Sequence, residues 1–354
     1  VRILLICNPN STSQNEGLFR QIIPVLRDVE GVEMLVKNTH YPRHAEEIVS
    51  GLTRDDFDAI VAVGGDGTVA EIINGMLGPV ELDEDGKVAP GDRPQPEQLP
   101  ALAIIPTGSA NVFVRALGFP ASPVEATHVL ARLLERNQTR KICLGTWNER
   151  WFAVNAGFGL DADVLARVDR AREKGFSATP LRYLSVAVRG YLRARRTPPQ
   201  ITVEARAMNG KELKMKDAPL IFASNTNPWT FLGPLPVVTN PENSFSQGLG
   251  LFGLTDLGGV TGLVGMLHLA GADKRRLLNK LTTANTVEFD DAETVTLTTR
   301  EPQRFQADGE SEGKFDHVRL SSVVDAIEVF APRDPEPPHE RSAKQILRDL
   351  IRIN

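Results

Sequence analysis

Val61-Ala62-Val63-Gly64-Gly65-Asp66-Gly67-Thr68 ends an apolar run and opens a segment whose apolar residues Val69, Ile72, Ile73 and Met76 recur at helical spacing. The stretch reads as strand, glycine turn, helix. Glycines let a backbone approach an anion closely, and the free amides at a helix start point at such a ligand, so the turn suits phosphate. Asp66 would repel bare phosphates. Its presence makes sense with Mg²⁺ or a water shell in between, which makes Asp66 a metal-site candidate. The plain alternative is a structural turn with Asp66 as N-cap.

Working outward, Ile3 to Ile6, Val32 to Val36, Ala59 to Val63 and Leu102 to Ile105 are strand-like, and Gln14 to Arg27 and His44 to Leu52 have helix-length patterns between them. This alternation predicts an α/β N-terminal domain over residues 1–145, a mostly parallel sheet with flanking helices and ligand loops at the carboxyl ends of the strands. Ile104 to Phe113 is a second strand, loop and helix crossing. Gly108, Ser109 and Asn111 give it room, donors and a cap for phosphate oxygens. Asn8-Pro9-Asn10-Ser11-Thr12 follows the first strand and enters the same crevice. The plain readings of these two segments are a helix start and an Asn-Pro turn.

After about residue 146 a helical pattern covers 162–196, and strand-like runs recur at Ile201 to Ala205, Leu220 to Ala223, Val295 to Thr298 and Ala326 to Phe330. A β-rich, mainly antiparallel second domain over 146–331 follows. Phe305-Gln306-Ala307-Asp308-Gly309-Glu310 places two carboxylates around a glycine. Asp308 and Glu310 can serve as general base and partner at a hydroxyl, although Asp-Gly-Glu is also an ordinary turn. Pro79 to Pro100 is acidic and proline-rich, an exposed loop or hairpin. The apolar residues Ile346, Leu347, Leu350 and Ile351 of a final helix, 340–354, are expected to pack on the first domain.

The chain has 354 residues, 41% hydrophobic and 24% charged, which excludes a disordered polymer, and its net charge of -5 argues against a nucleic-acid partner. Cys7 and Cys143 stand far apart without metal spacing, so neither a disulfide framework nor a zinc site is expected, and the setting reads as a reducing cytoplasm. His40 and His44 lack a third ligand and read as a helix start. Val1 to Cys7 is too short for a signal segment and reads as the first strand. Leu249 to Ala272 carries one charge, Asp256, but its glycines divide it at Asp256-Leu257-Gly258-Gly259 into a strand and a short helix. Between Arg167 and Arg196 there are nine basic and two acidic residues, net +7, interleaved with Leu181, Leu184, Val188 and Leu192. An amphipathic basic helix of this kind suits an anionic membrane surface or a phosphate-rich substrate; a solvated face is the alternative. No Gly-x4-Gly-Lys-Ser/Thr, HExxH or GxSxG string occurs.

In its motif order the sequence resembles the diacylglycerol-kinase catalytic-domain family of soluble bacterial lipid kinases, over residues 1 to about 331. Asn8 to Thr12 looks like the family's Asn-Pro-x-Ser-Gly loop, Gly64 to Thr68 is the hallmark string, and Pro106 to Arg115 is similar to the Pro-x-Gly-Thr-x-Asn-Asp-Phe-Ala-Arg segment. Asn155 to Ala162 and Ala307 to Glu310 complete the set. The Gly-Gly-Asp-Gly-Thr string alone is shared with NAD kinases and related to a phosphofructokinase motif. Three departures stand out: Val112 for an Asp, Gln247 for the Asp of Asp-Gly-Leu, which lowers the charge of a second metal site, and Ser109 for a Thr.

The resemblance implies ATP, with Mg²⁺, held by Asn8, Pro9, Asn10, Ser11, Thr12, Thr39, Gly64, Gly65, Asp66, Gly67, Thr68, Gly108, Ser109 and Asn111, and a lipid directed by the second domain. It implies transfer of the γ-phosphate to a lipid hydroxyl, diacylglycerol first, by a cytoplasmic protein in transient peripheral contact with the membrane. Asp308 or Glu310 handles the proton. A sphingoid base, another glycerolipid or NAD as acceptor, and a non-catalytic nucleotide- or lipid-binding protein, are the alternatives, and a homodimer is open.

Overall fold

The computed structural model of the chain describes residues 1–9, 16–89, 93–158, 198–232, 235–258 and 285–333. The N-terminal part alternates as expected: β1 (Arg2–Cys7), α1 (Glu16–Arg27), β2 (Glu33–Asn38), α2 (His44–Val49), β3 (Ala59–Gly64), α3 (Asp66–Leu77), β4 (Ala101–Pro106), α4 (Val112–Ala116) and α5 (Pro123–Glu135). β1, β3 and β4 are buried from end to end or nearly so, which is why they read as unbroken apolar runs. The face of α3 predicted from its periodicity, Val69, Ile72, Ile73 and Met76, is buried. His44 begins α2, and its Nδ1 accepts the His40 N–H at 3.1 Å, as suits a helix start.

Beyond these lie β5 (Thr139–Trp147), β6 (Arg150–Phe152), β7 (Asn155–Phe158), β8 (Ile201–Ala207), β9 (Glu212–Ala218), β10 (Leu220–Ser224), β11 (Thr230–Leu232), β12 (Leu235–Val237), β13 (Leu249–Leu254), β14 (Thr286–Ala307) and β15 (Glu310–Phe330). Their mutual pairings are antiparallel, as the strand-rich composition predicts. β11 and β12 form a small hairpin of their own; the other thirteen described strands share one sheet. Leu82 and Val88 pair within the acidic segment expected to be a loop or hairpin.

The first four strands run parallel in the order β4-β3-β1-β2. The chain steps from β1 outward to β2, then returns across β1 to β3, so the order reverses between β1 and β3. Loops diverge at such a point and leave a crevice at the carboxyl ends of the strands. β14 and β15 form one long bent hairpin, its register broken by bulges. One end of it reaches β4, where Val329 pairs with Leu102 in parallel; the other is the Asp308-Gly309 turn. The boundary expected at residues 145/146 falls inside β5, which pairs with the β4 end of β15. Two large apolar clusters flank this region, one on the parallel strands and one on the antiparallel strands.

The stretch Leu249 to Ala272 begins with β13, Leu249–Leu254, followed by a turn in which Asp256 Oδ1 accepts the Gly258 N–H at 2.8 Å. No helix among the described residues is long and apolar enough to cross a membrane. The basic pattern 167–196, the final helix 340–354 and the second half of that apolar stretch lie outside the described residues.

Candidate active site

Four strand-end loops meet at the crevice. Asn8 leaves β1, donating its main-chain N–H to Val63 O at 3.2 Å and its Nδ2 to Thr68 Oγ1 at 3.5 Å. Thr39 leaves β2, buried, with its N–H on Cys7 O at 2.8 Å. The loop after β4 is tied to the end of β3 by Thr107 N–H on Gly64 O at 3.0 Å. Glycine makes the next contact possible: a Cβ on Gly65 would meet the Gly108 Cα at 3.1 Å, so the two turns touch backbone to backbone.

Asn111 locks the second loop. Its φ of +51° is left-handed, a conformation that asparagine tolerates better than most residues. From there Oδ1 accepts the Gly108 N–H at 3.0 Å and Nδ2 donates to Gly108 O at 2.8 Å. The side chain therefore grips its own loop and gives no cap to α4. Asp66 supplies that cap from the neighbouring loop, its Oδ2 accepting the Val112 N–H and its Oδ1 the Phe113 N–H, both at 2.9 Å. The plain alternative for Asp66, a cap on its own helix, does not hold: the N-cap of α3 is Gly65, and Asp66 bridges the two loops. Val112, where the family pattern has Asp, is buried and contributes through its main chain.

The carboxylate turn enters from the other half of the chain. Ala307 pairs with Glu310 across the two-residue loop Asp308-Gly309, whose φ values of +51° and +85° belong to the turn type that matches hairpin twist. Asp308 is held by three main-chain donors: Ala153 N–H on Oδ2 at 2.8 Å, Val154 and Asn155 N–H on Oδ1 at 2.7 and 3.2 Å. Burial pushes the Asp308 carboxyl up to about 7; the three N–H donors pull the other way, and the charge of Asp66 adds to the rise. Asp66 and Asp308, 242 positions apart in sequence, thus act on each other across the crevice.

Glu310 is exposed and extends over the first loop, with Oε1 3.1 Å from the place a Cβ on Gly67 would occupy. Next along the strand, Glu312 is raised by burial; Arg150 and Arg43 oppose that rise and Glu310 adds to it. Arg150 is itself paired through both guanidinium nitrogens with Glu46, at 2.9 and 3.3 Å. The crevice therefore holds amide-rich glycine loops on one side and the carboxylates of Asp66, Asp308 and Glu310 around them.

Of the residues singled out in the sequence, Asn8, Thr39, Gly64 to Thr68, Gly108 to Asn111, Asp308 and Glu310 come together here. Pro9 follows Asn8 on the same loop, and Asn10, Ser11 and Thr12 lie outside the described residues. Gln247, at the departure from Asp-Gly-Leu, precedes Gly248, whose N–H is held by Asp291 at 2.8 Å. Among the described residues no group of three or more His, Cys, Asp or Glu side chains is gathered as a self-sufficient metal cage.

Two supports went unread in the sequence. Asn74, on the buried side of α3, donates to Trp151 O at 3.1 Å and accepts the Trp151 N–H at 3.0 Å, bonding β6 to the glycine-loop helix. The main chain of Ala153 to Asn155 forms the cradle of Asp308, and backbone donors have no signature in residue type.

Residues 2–147 match the model of the Diacylglycerol kinase catalytic domain. A diacylglycerol kinase from Staphylococcus saprophyticus is 25% identical over 337 residues, covering 94% of this chain and 96% of that protein. Sphingosine kinase 1 from Arabidopsis thaliana is 28% identical over 183 residues, 49% of this chain and 34% of that one. The chain spans about a third to a half of the length of the curated relatives it first matches. The crystal structure of a diacylglycerol kinase from Bacillus anthracis superposes with a TM-score of 0.63 at 19% identity, covering 94% of this chain and 97% of that one, a likeness of fold. The glycine loops and their mutual contacts lie within residues 2–147, the segment that matches the model of the diacylglycerol kinase catalytic domain.

Proposed function

We propose that the protein is an ATP-dependent lipid kinase that moves the γ-phosphoryl group of ATP to a lipid hydroxyl, with diacylglycerol as the first acceptor to test and phosphatidic acid as product. The observation that carries this reading is the placement of the Asp308-Gly309-Glu310 turn over Gly67, which brings acid groups from the second half of the chain to the anion-binding loop of the first.

In this reading the main-chain amides of Gly65 to Thr68 and Gly108 to Asn111 hold the phosphates, and Asn8 and Thr39 flank them. Positioning and charge neutralisation supply most of the rate in phosphoryl transfer. Asp308 accepts the proton of the acceptor hydroxyl as its oxygen attacks phosphorus and the bond to the bridging oxygen of ADP breaks. A carboxylate held near 7 is poised for that role at neutral pH, whereas exposed Glu310 would act on the phosphates through a bound cation.

The donor set fits Mg²⁺. Each Asp66 oxygen already accepts one amide, yet a carboxylate has about four lone-pair sites, so Asp66 and Glu310 can still hold a metal through water or the nucleotide. When bound, the ion neutralises charge on the phosphate oxygens. Peripheral contact with the membrane would bring the acceptor to the crevice.

Sphingoid bases and NAD are the competing acceptors. The test is ATP consumption with Mg²⁺ over mixed micelles of diacylglycerol, other glycerolipids and sphingosine, and over NAD, with product identification. Phosphorylated diacylglycerol is the expected product. Phosphorylation of NAD alone, or ATP binding without turnover of any acceptor, overturns the reading.

A further inference from the structure

A chain of buried side-chain amides runs from the small hairpin β11–β12 to the carboxylate turn. Asn155 Nδ2 donates to the Trp229 carbonyl at 3.2 Å, Gln306 Nε2 donates to Asn155 Oδ1 at 2.8 Å, and Gln306 Oε1 accepts the Gly309 N–H at 3.1 Å. The main chain closes the circuit, with Asp308 N–H on Asn155 O at 2.8 Å and Asn155 N–H on Asp308 Oδ1 at 3.2 Å. Every link has one orientation: flipping either amide would set donor against donor or oxygen against oxygen.

The surroundings make these amides expensive unless they are used. Asn155 is 8% exposed and Gln306 1%, and Phe158 and Phe305, adjacent in the sheet, are in ring contact at 5.1 Å. Apolar side chains would fill such a place without the desolvation cost of two primary amides, and a fully satisfied buried network gains rigidity in return. The far end of the chain is anchored as well. Trp229 packs against Phe222, ring centroids 4.8 Å apart and tilted by 41°, and the guanidinium of Arg115, on α4, sits 3.5 Å over the ring of Phe231 in the adjoining hairpin. The hairpin thus touches the helix that Asp66 caps and, through Asn155 and Gln306, the turn that carries Asp308.

We propose that Asn155 and Gln306 are positioning residues that fasten the Asp308 turn to the β11–β12 hairpin and thereby set where Asp308 meets the acceptor. Neither side chain touches a reacting atom; both act through the turn. This rests on the kinase reading above.

The test uses the full chain with Gln306→Leu, which keeps volume and removes both hydrogen bonds. Two quantities are read: steady-state kinetics with ATP and lipid, and amide hydrogen exchange at Gly309, whose N–H Gln306 accepts. The relay predicts a fall in kcat of at least about ten-fold, the scale on which misplacing a reacting group is felt, with the KM for ATP unchanged. It also predicts faster exchange of the Gly309 amide than in wild type. Should Gln306→Leu fail to fold, Asn155→Ala cuts the link between Gln306 and the Trp229 carbonyl and takes its place in both measurements. A folded variant with unchanged kcat and unchanged exchange at Gly309 overturns the relay. A wild-type protein that phosphorylates no lipid sinks the kinase reading instead, and the exchange at Gly309 then decides the relay by itself.

Discussion

Gly65 and Gly108 leave no room for a side chain between them: a Cβ built on Gly108 would lie 2.5 Å from the Gly65 Cα and 2.9 Å from Asn111 Oδ1. The first neighbour is backbone and cannot rotate away, so the two anion-binding loops keep their spacing only with glycine here. Gly108→Ala should therefore separate the loops, lowering stability by about 1–3 kcal/mol as overpacking does. Nucleotide affinity should fall with it. Isothermal titration with ATP and a urea melt check this, and wild-type affinity in the variant would show that the contact does not shape the nucleotide site.

Asp308 and Glu310 lie two residues apart in unlike surroundings, one cradled by three amides and one exposed over Gly67. Loss of a general base costs about 10²–10⁴-fold in rate. Asp308→Asn should lower kcat on that scale with little change in the KM for ATP, and should abolish the rise of rate with pH through about 7. Glu310→Gln should act first on the KM for ATP. Stopped assays of labelled product over a pH series separate them; the reverse pattern would exchange the two roles.

The same carboxyl should leave a trace in stability. Its folded value, about 7, is above the ordinary 3.8, so between these limits the folded chain holds a proton that the unfolded chain releases. The contribution of Asp308 to stability is accordingly greatest in acid and declines as pH rises through that window. Asp308→Asn removes this dependence, so its melting temperature minus that of wild type should climb from pH 4 to pH 7. Scanning calorimetry at several pH values tests the sign. A difference that is flat or falls would mean that burial does not raise this group.

Asn74 bonds both main-chain groups of Trp151 and is itself 7% exposed. Asn74→Ala strands a buried N–H and a buried carbonyl, each carrying a desolvation penalty of about 1–3 kcal/mol when unpaired. Chemical denaturation should show a loss on that scale. Because α3 carries the glycine loop at its start, weaker ATP binding should accompany it, and a variant as stable as wild type would show that water replaces the amide.

By itself the sequence determined the local grammar. Buried parallel strands must be apolar throughout, so Ala59 to Val63 and Leu102 to Ile105 were legible; the glycine string between a strand and a helical face marked the anion loop; and Asp308-Gly309-Glu310 stood out as two carboxylates around a glycine, with an ordinary turn as the alternative. These signals survive in sequence because they are fixed by conformation within a few residues. Only the tertiary structure decided which partners those residues met. It placed Asp66 on the amides of Val112 and Phe113, so that it caps α4 and not its own helix, and it set Asp308 in the cradle of Ala153 to Asn155. Backbone donors look alike in every residue type, and contacts across hundreds of positions depend on how strands are ordered in a sheet, which residue spacing along the chain does not encode.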